Sequence, residues 1–245
     1  MFAMRLDLYL YESNLASSRS EAKRLIIAGA VKVNGRVVTK PSFEIVDAEN
    51  DILIDSADTK YVSRGGLKLE GALAAFDVTC VEKSCLDVGA SSGGFTDCLL
   101  SHGAARVIAL DAGSGQLSDK IRNDPRVTVV ENYNARFLKL ADLAFAPDMA
   151  VMDVSFISAT YIIGGIADCL SVGSDFICLI KPQFEVGRAG VGKGGIVKNE
   201  SDRQAAVRRV VECAEACGFE NLGVITSPIK GGDGNIEFLA HFRKK

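Results

Sequence analysis

The sequence predicts an α/β protein in which a doubly wound domain with a mostly parallel β-sheet follows a smaller α+β unit. Strand-like and helix-like segments alternate from about residue 65 onward, which is typical of parallel strands joined by crossover helices. A glycine-rich turn, LDVGASSGGF at 86–95, joins the first of these strands to a helix. Ahead of this alternation, Asn34-Gly35 between two strand-like runs indicates a hairpin that belongs to a separate unit.

The length and composition of the chain fit this two-part organisation. A chain of 245 residues has room for one ordinary domain and one small domain. Its residues are 48% hydrophobic and 24% charged, which indicates packed domains rather than disorder. We expect the first domain at 1–56, a linker at 57–62 and the second domain at 63–245.

The first unit is predicted to contain two helices followed by a hairpin. Ser18 and Glu21 have the spacing of a capping box at the start of the second helix, and Gly29 suits its C-terminus. The segment DILI at 51–54 offers one more strand.

Positive charge is concentrated in this unit, although the whole chain carries a net charge of −3. Arg19 and Lys23 are four residues apart and share a helix face, as expected of a surface that binds a phosphate backbone. An ordinary solvated helix face is the alternative. The basic residues between 19 and 40 are Arg19, Lys23, Arg24, Lys32, Arg36 and Lys40, with Glu21 as the one acid among them.

The second unit alternates strands and helices up to a final strand pair. Gly103 and Gly218 are predicted to end two of its helices. The last two strands, NLGVITS and NIEFLAHF, are predicted to be antiparallel and joined by a tight turn, KGGDGN. The preceding strands are predicted in SCLDVGA, RVIALDA, VTVVEN, PDMAVMD and SDFICLIK.

The glycine-rich turn has the pattern D-x-G-x-x-x-G, formed by Asp87, Gly89 and Gly93. Ser91 stands where the dinucleotide fingerprint needs its second glycine, and a Walker G-K-[ST] is absent. The methyltransferase version of the turn fits instead, so we expect S-adenosylmethionine as the cofactor. Asp111 ends the next strand, where an acid accepts ribose hydroxyls. A tight strand–helix turn without a ligand is the alternative.

Three charged residues lie at the ends of apolar strands. Asp153 ends PDMAVMD, Lys181 ends SDFICLIK, and Glu237 lies early in the last strand. In doubly wound sheets the binding crevice lies beyond the carboxyl ends of the parallel strands, and the early part of an antiparallel strand lies at the same edge. A helix cap or an ordinary surface charge is the alternative for each of them. Lys68 lies in the helix predicted from SRGGLKLEGALAAF at 63–76, beside its apolar face, and taken alone it fits a solvated charge.

The whole chain closely resembles the TlyA-type (haemolysin-A-like) ribosomal RNA 2′-O-methyltransferases, which combine an S4 RNA-binding domain with an FtsJ-like methyltransferase domain. The S4 resemblance lies in ASSRSEAKRLIIAGAVKVNGRVV. The resemblance implies a Rossmann-like methyltransferase and methylation of a cytidine ribose in ribosomal RNA. The chain ends at HFRKK, soon after its last strand, and so is similar to the shorter family members that act on the large subunit; the resemblance therefore favours the large subunit, with the small subunit as the alternative. The methyltransferase motifs are SRGGLKLEGAL, LDVGASSGGF, VMDVSFIS, LIKPQFEVG and GNIEF.

The resemblance also implies a catalytic tetrad of Lys68, Asp153, Lys181 and Glu237. A ribose 2′-hydroxyl must lose its proton as it attacks a sulfonium methyl group. A lysine base would need its pKa lowered by about three units, by burial and by a nearby positive charge. We interpret Lys181 as the base or hydroxyl-orienting residue and Asp153 as its orienter. Lys68 and Glu237 would position the ribose.

Two further contacts are predicted around this crevice. Asn134, beyond the third strand of the second unit, is the candidate for contacting the adenine of the cofactor. Arg188 and Lys193 lie in a glycine-rich segment at 184–200 that could order over RNA, although a mobile surface loop is an equal alternative.

The number and spacing of the cysteines and histidines argue against a metal site or a disulfide framework. Seven cysteines without a C-x-x-C pair, and two histidines, predict buried reduced thiols, no structural metal and a cytoplasmic protein. No segment is long and apolar enough to suggest a membrane haemolysin. Two alternatives stay open: a methyltransferase of base amino groups, because DVSF has the spacing of a [DN]-P-P-[FY] motif, and a non-catalytic RNA-binding assembly factor.

Overall fold

The computed structural model describes residues 3–13, 15–16, 19–27, 29–46, 50–54, 60–231 and 234–245. The side chains at 3, 20, 21, 24, 46, 188, 189 and 193 lie outside this description. The chain forms two compact units, Met1–Arg64 and Gly65–Lys245. No helix within the described ranges has the length and apolar character that crossing a membrane requires.

The first unit packs two helices against two small antiparallel sheets. Leu6 and Leu10 on the first helix and Ala22 and Ile26 on the second are fully buried in its core. Strands β1 and β4, which pair with each other, were not expected from the sequence because they are too short to show a clear period. The elements are β1 (Ala3–Arg5), α1 (Leu6–Glu12), α2 (Arg19–Ile27), β2 (Val31–Val33), β3 (Arg36–Val37), β4 (Glu44–Val46) and β5 (Ile52–Ile54).

The predicted hairpin connects β2 and β3, and β5 pairs with the other side of β2. Asn34 and Gly35 both have positive φ angles, 51° and 75°, as a two-residue hairpin turn of primed type requires. Gly29 follows α2 with a φ of 77°, as predicted for its C-terminus. Ser18 and the side chain of Glu21, the predicted capping box, lie outside the described residues, as do residues 57–59 of the predicted linker.

The second unit is built on one sheet, in which seven strands of the described chain take part, in the order β11-β12-β10-β9-β6-β7-β8. Strands β6 to β10 run parallel, and β12 is antiparallel to both β10 and β11, so the predicted mostly parallel sheet with an antiparallel end is confirmed. The strands are β6 (Ser84–Val88), β7 (Arg106–Leu110), β8 (Val127–Val130), β9 (Met149–Met152), β10 (Asp175–Ile180), β11 (Phe219–Thr226) and β12 (Phe238–Lys244).

Helices cover both faces of this sheet. Leu69, Ala72 and Leu73 on α3 are buried, as are Val210 and Ala214 on α9. Short 3-10 helices lie at Ala135–Phe137, Leu140–Asp142, Ala159–Tyr161 and Lys193–Gly195. The α-helices are α3 (Gly65–Phe76), α4 (Gly94–Ser101), α5 (Asp119–Arg122), α6 (Ile163–Cys169), α7 (Pro182–Glu185), α8 (Gly187–Gly190) and α9 (Glu200–Ala216).

The tight turn predicted between the last two strands at KGGDGN includes Gly232 and Asp233, which lie outside the described residues. The strands end at Thr226 and begin at Phe238, so the connection spans residues 227–237, of which 227–231 and 234–237 are described. Its backbone is held by bonds from Ser227 N to Glu237 O and from Gly231 N to Asn235 O. These internal bonds replace ladder pairing, and they place Glu237 just before β12 rather than inside it.

Candidate active site

The register of the sheet brings the predicted catalytic residues to one edge. Ile180 in β10 is paired with Phe238 in β12, so Lys181 and Glu237, the next positions outward, lie at the same end of neighbouring strands. Met152 in β9 is paired with Val88 in β6, so Asp153 lies beside the start of the glycine-rich turn. A Cβ at Gly89 would lie 2.3 Å from the backbone oxygen of Asp153.

Lys181 contacts two residues of the loop that follows β9. Its Nζ lies 2.5 Å from Oδ1 of Asp153 and donates a hydrogen bond to Oγ of Ser155 at 2.8 Å. The contact with Asp153 is a charge contact, whereas the hydrogen-bond geometry belongs to Ser155. The Lys181 side chain is 11% exposed and the Asp153 side chain 19%, so the pair faces the crevice without being sealed off from it.

Lys68 forms the second ion pair of the site. Its Nζ donates to Oε2 of Glu237 at 2.6 Å, and both side chains are buried, with exposures of 10% and 2%. Within the described chain, the hydrogen-bonded partner of Lys68 is therefore Glu237 and not Asp153 or Lys181. Gly231 makes room for this pair, since a Cβ there would lie 2.4 Å from Oε1 of Glu237.

The glycine-rich turn takes a conformation that its sequence anticipates. Gly89 and Gly93 have φ angles of 87° and 94°, and Gly93 is the N-cap residue of α4. Ser91 also has a positive φ, 48°, and its backbone N–H donates to Oδ2 of Asp111 at 2.8 Å. These positive φ angles allow the tight connection between β6 and α4, with Ser91 as its exposed residue.

Asp111 links this turn to the end of β7. Its Oδ1 accepts a bond from Gly113 N at 2.7 Å, and its Oδ2 accepts the bond from Ser91 N. A carboxylate can accept about four hydrogen bonds, so capacity remains for two hydroxyl groups of a ligand. The remaining acceptor capacity of Asp111 thus fits the ribose hydroxyls of S-adenosylmethionine.

Asp87 differs from the other acids of the site because it is completely buried. Thr96 Oγ1 donates to its Oδ2 at 2.6 Å, while its Oδ1 accepts no bond from the described residues. Burial is the main reason that the pKa of Asp87 is raised to about 7; the negative charges of Asp153 and Asp111 contribute to this rise, and the bonds from Thr96 work against it. Three carboxyl groups therefore create a negative field around the turn, which suits a cofactor that carries a sulfonium and an ammonium group.

The other predicted contacts have separate positions. Asn134 is exposed, and its side chain caps the 3-10 helix at Ala135–Phe137 by accepting a bond from Arg136 N. In the first unit, Lys23 and Arg36 are exposed, while one guanidinium nitrogen of Arg19 lies 3.5 Å from the buried carboxylate of Asp7. Lys32 is partly buried, and the side chains of Arg24, Arg188 and Lys193 lie outside the described residues.

Two buried residues that the sequence reasoning missed hold the motifs together. Glu185 accepts bonds from Ser158 Oγ at 2.6 Å and Ala159 N at 2.8 Å, so it ties the KPQFEVG motif to DVSFIS. Asn235 accepts from Val197 N and donates to Gly195 O, which attaches the glycine-rich loop near Glu237. The only signal for either residue was its presence inside a motif.

Comparisons with known proteins agree with this two-part architecture. The model of the FtsJ-like methyltransferase family matches residues 61–244, and the model of the S4 domain matches residues 4–52. The FtsJ-like match covers the whole sheet and every residue of the two ion pairs.

Similar proteins match along nearly the full chain. Hemolysin A of Brachyspira hyodysenteriae is 45% identical over 98% of this chain and 99% of its own length. The 16S/23S rRNA (cytidine-2'-O)-methyltransferase TlyA of Mycobacterium tuberculosis is 41% identical over 98% of this chain and 89% of its own. A solved structure from Streptococcus thermophilus that carries a hemolysin name is 42% identical, with a TM-score of 0.79 over 99% of this chain and 89% of that one.

Proposed function

Because the chain belongs to the FtsJ-like methyltransferase family and carries an S4 domain ahead of its methyltransferase domain, we propose that it methylates the 2′-hydroxyl of a cytidine in ribosomal RNA. The observation that carries this proposal is the pair of ion pairs, Lys181–Asp153 and Lys68–Glu237, at the sheet edge beside the glycine-rich turn. The substrate is inferred from the Mycobacterium tuberculosis relative, which is named as a 16S/23S rRNA (cytidine-2'-O)-methyltransferase.

S-adenosylmethionine, when bound, supplies a methyl group on a positively charged sulfur atom. Asp111 would accept its ribose hydroxyls, and the backbone at Gly89, Ser91 and Gly93 would line its binding surface. The close approach of Gly89 to the loop that carries Asp153 brings this surface directly beside the acceptor residues. Asn134, which caps the 3-10 helix beyond β8, is proposed for the adenine contact.

Lys181 is the proposed base or hydroxyl-orienting residue. Its Nζ is held from two sides by Asp153 and Ser155, so its position at the crevice is defined before RNA binds. Lys68 and Glu237 would position the ribose through the buried pair that they form. Holding the hydroxyl in line with the methyl group supplies a large part of the rate in such reactions.

The exposed basic residues of the first unit are proposed to contact the RNA backbone. Lys23 and Arg36 are exposed, and Arg19 is half exposed beside Asp7. Lys32, Arg24, Arg188 and Lys193 complete the proposed RNA-binding set. The seven cysteines carry free thiols, which fits a reducing compartment, and we propose the cytoplasm as the site of the reaction.

Methyl mapping tests this function directly. Full-length protein and S-adenosylmethionine are incubated with large or small ribosomal subunits from cells that lack the protein, and the RNA is analysed by nuclease digestion and mass spectrometry. We expect 2′-O-methylcytidine in large-subunit RNA, and the small subunit is the second substrate to test. A methyl group on a base amino nitrogen would support the base methyltransferase instead. Subunit binding without cofactor binding would support the assembly factor.

A further inference from the structure

A cavity of about 890 Å³ lies directly beside the two catalytic motifs. It opens between the 3-10 helix Ala159–Tyr161 and helix α7, which begins one residue after Lys181. None of the four residues of the two ion pairs lines it. The cavity is therefore a neighbour of the reaction site, separated from it by the stretch that contains Ser155 and Phe156.

Aromatic rings form much of the cavity wall and are unusually exposed. The Phe156 side chain is 92% exposed, lies 5.4 Å from the ring of Phe184, and has a φ of 65°, a strained value for a phenylalanine. Tyr161 is 58% exposed, and the guanidinium of Arg136 lies 4.9 Å from its ring centroid. Exposed rings and an arginine plane are the surfaces on which proteins stack single-stranded bases.

The polar groups of the cavity are complementary to a ligand that has a hydrogen-bond donor and a negative charge. Oε1 of Gln183 is buried and accepts no bond from the described residues. The carboxylate of Glu185 is already engaged by Ser158 and Ala159. Arg209 uses one N–H on the Glu185 carbonyl, and a guanidinium has five such donors. Arg136 and Arg209 thus provide positive charge in the cavity lining, which suits a phosphate.

We propose that this cavity binds the nucleotide next to the methylated cytidine in the RNA chain. Its base stacks on Tyr161, an N–H of the base edge donates to Gln183 Oε1, and its phosphate lies near Arg209. The neighbour is assigned rather than the methylated nucleotide because the methylated ribose must lie against Lys181 and Asp153, outside the cavity. The assignment rests on the proposed function, since it takes RNA as the substrate.

The kinetic test uses the full chain and the ribosomal subunit that the wild-type protein methylates. We expect Tyr161→Ala and Gln183→Leu each to raise the KM for subunits about tenfold, with unchanged affinity for S-adenosylmethionine in calorimetry. Tyr161→Phe should retain the wild-type KM, because it keeps the ring. Arg209→Ala should raise the KM, whereas Arg208→Ala, an exposed neighbour on α9 outside the cavity, should not.

A crosslinking test assigns the nucleotide. A photoreactive benzoylphenylalanine placed at position 161 of the full chain should crosslink to the nucleotide adjacent to the methylated cytidine, as mapped by reverse transcription. A crosslink to the methylated cytidine itself, or wild-type KM values in Tyr161→Ala and Gln183→Leu, would overturn the assignment. Failure of the wild-type protein to methylate any RNA would instead overturn the proposed function.

Discussion

Lys68 and Glu237 are 169 residues apart in the chain and form a buried ion pair at 2.6 Å. One residue belongs to the first helix of the methyltransferase unit, and the other immediately precedes its last strand. The pair therefore joins the two ends of the unit at the edge of the sheet where Lys181 and Asp153 also lie. A buried pair of this kind stabilises the packing of the two segments and also supplies charges to the site. Variants can separate the structural role from the role in methyl transfer.

Breaking this pair from one side is expected to destabilise the protein. Lys68→Met or Glu237→Gln alone should lower the free energy of unfolding by about 3 kcal/mol, because each leaves a buried charge without its partner. The double variant should recover most of that stability while remaining inactive, since the ribose-positioning charges are gone. Urea unfolding and methyl transfer are measured on all three. An active double variant would show that the pair is structural only.

A side chain at Gly231 is expected to displace the carboxylate of Glu237. In Gly231→Ala the new Cβ would lie 2.4 Å from Oε1 of Glu237, so the carboxylate that pairs with Lys68 must shift. We expect methyl transfer to fall at least about tenfold with little change in cofactor affinity. Gly164→Ala on α6 serves as the control, because the nearest atom to its Cβ would be Cys217 Sγ at 3.9 Å. Equal loss in both variants would contradict the explanation.

Lys181 is expected to be required for chemistry and not for binding. Lys181→Ala should reduce the rate of a single turnover by about two to four orders of magnitude, which is the range of general acid–base catalysis. Lys181→Arg should also be slow, since a guanidinium does not lose its proton. The affinity for S-adenosylmethionine and for ribosomal subunits should remain near wild type. Near-wild-type turnover in Lys181→Ala would end the assignment.

Asp87 is expected to make stability depend on pH in the opposite direction from an ordinary ion-paired acid. Its folded pKa is about 7, raised by burial, while the unfolded value is near 3.8. Between pH 4 and pH 7 the Asp87 carboxyl group is protonated in the folded state and ionised in the unfolded state. Protonation of the folded state therefore stabilises it, fully below about pH 4, and this stabilisation is lost as the pH rises through 7. The free energy of unfolding of the wild type, measured relative to that of Asp87→Asn, should therefore increase by about 2 kcal/mol between pH 7.5 and pH 5.5.

That comparison is made by urea unfolding followed by circular dichroism. Asp175 does not interfere, although burial works to raise its pKa. Bonds from His241, Lys83 and Arg243 outweigh that effect and hold the pKa of Asp175 far below this pH range. The groups shared by wild type and Asp87→Asn cancel in the difference. A difference that stays constant from pH 5.5 to pH 7.5 would mean that Asp87 is ionised throughout.

Cofactor binding is expected to release a proton near pH 7. The positive charges of S-adenosylmethionine enter the field of Asp87, Asp111 and Asp153 and should lower the pKa of Asp87, which is about half protonated at that pH. Calorimetry in two buffers of different ionisation enthalpy should give up to about half a proton per site. S-adenosylhomocysteine, which lacks the sulfonium charge, should release less, and Asp87→Asn should release almost none. Identical binding enthalpies in both buffers would exclude this coupling.

The sequence alone determined the features that depend on residues close together along the chain. The hairpin at Asn34-Gly35, the glycine-rich turn and the helix-ending Gly103 and Gly218 follow from backbone angles that few residues can adopt. The order of strands and helices follows from hydrophobic periodicity. Charged residues directly after apolar strands predicted that Asp153 and Lys181 would share an edge, because parallel strands end together.

Only the tertiary structure decided which of these groups touch. The pairing of Lys68 with Glu237, the connection of Glu185 to Ser158 and the raised pKa of Asp87 depend on strand order and burial, which no local pattern encodes. The bond from Ser227 N to Glu237 O places Glu237 just before β12, and turn residues did not predict this boundary. Contacts between distant segments depend on the packing of the whole domain. The hydrophobic periodicity of a single helix or strand does not specify that packing.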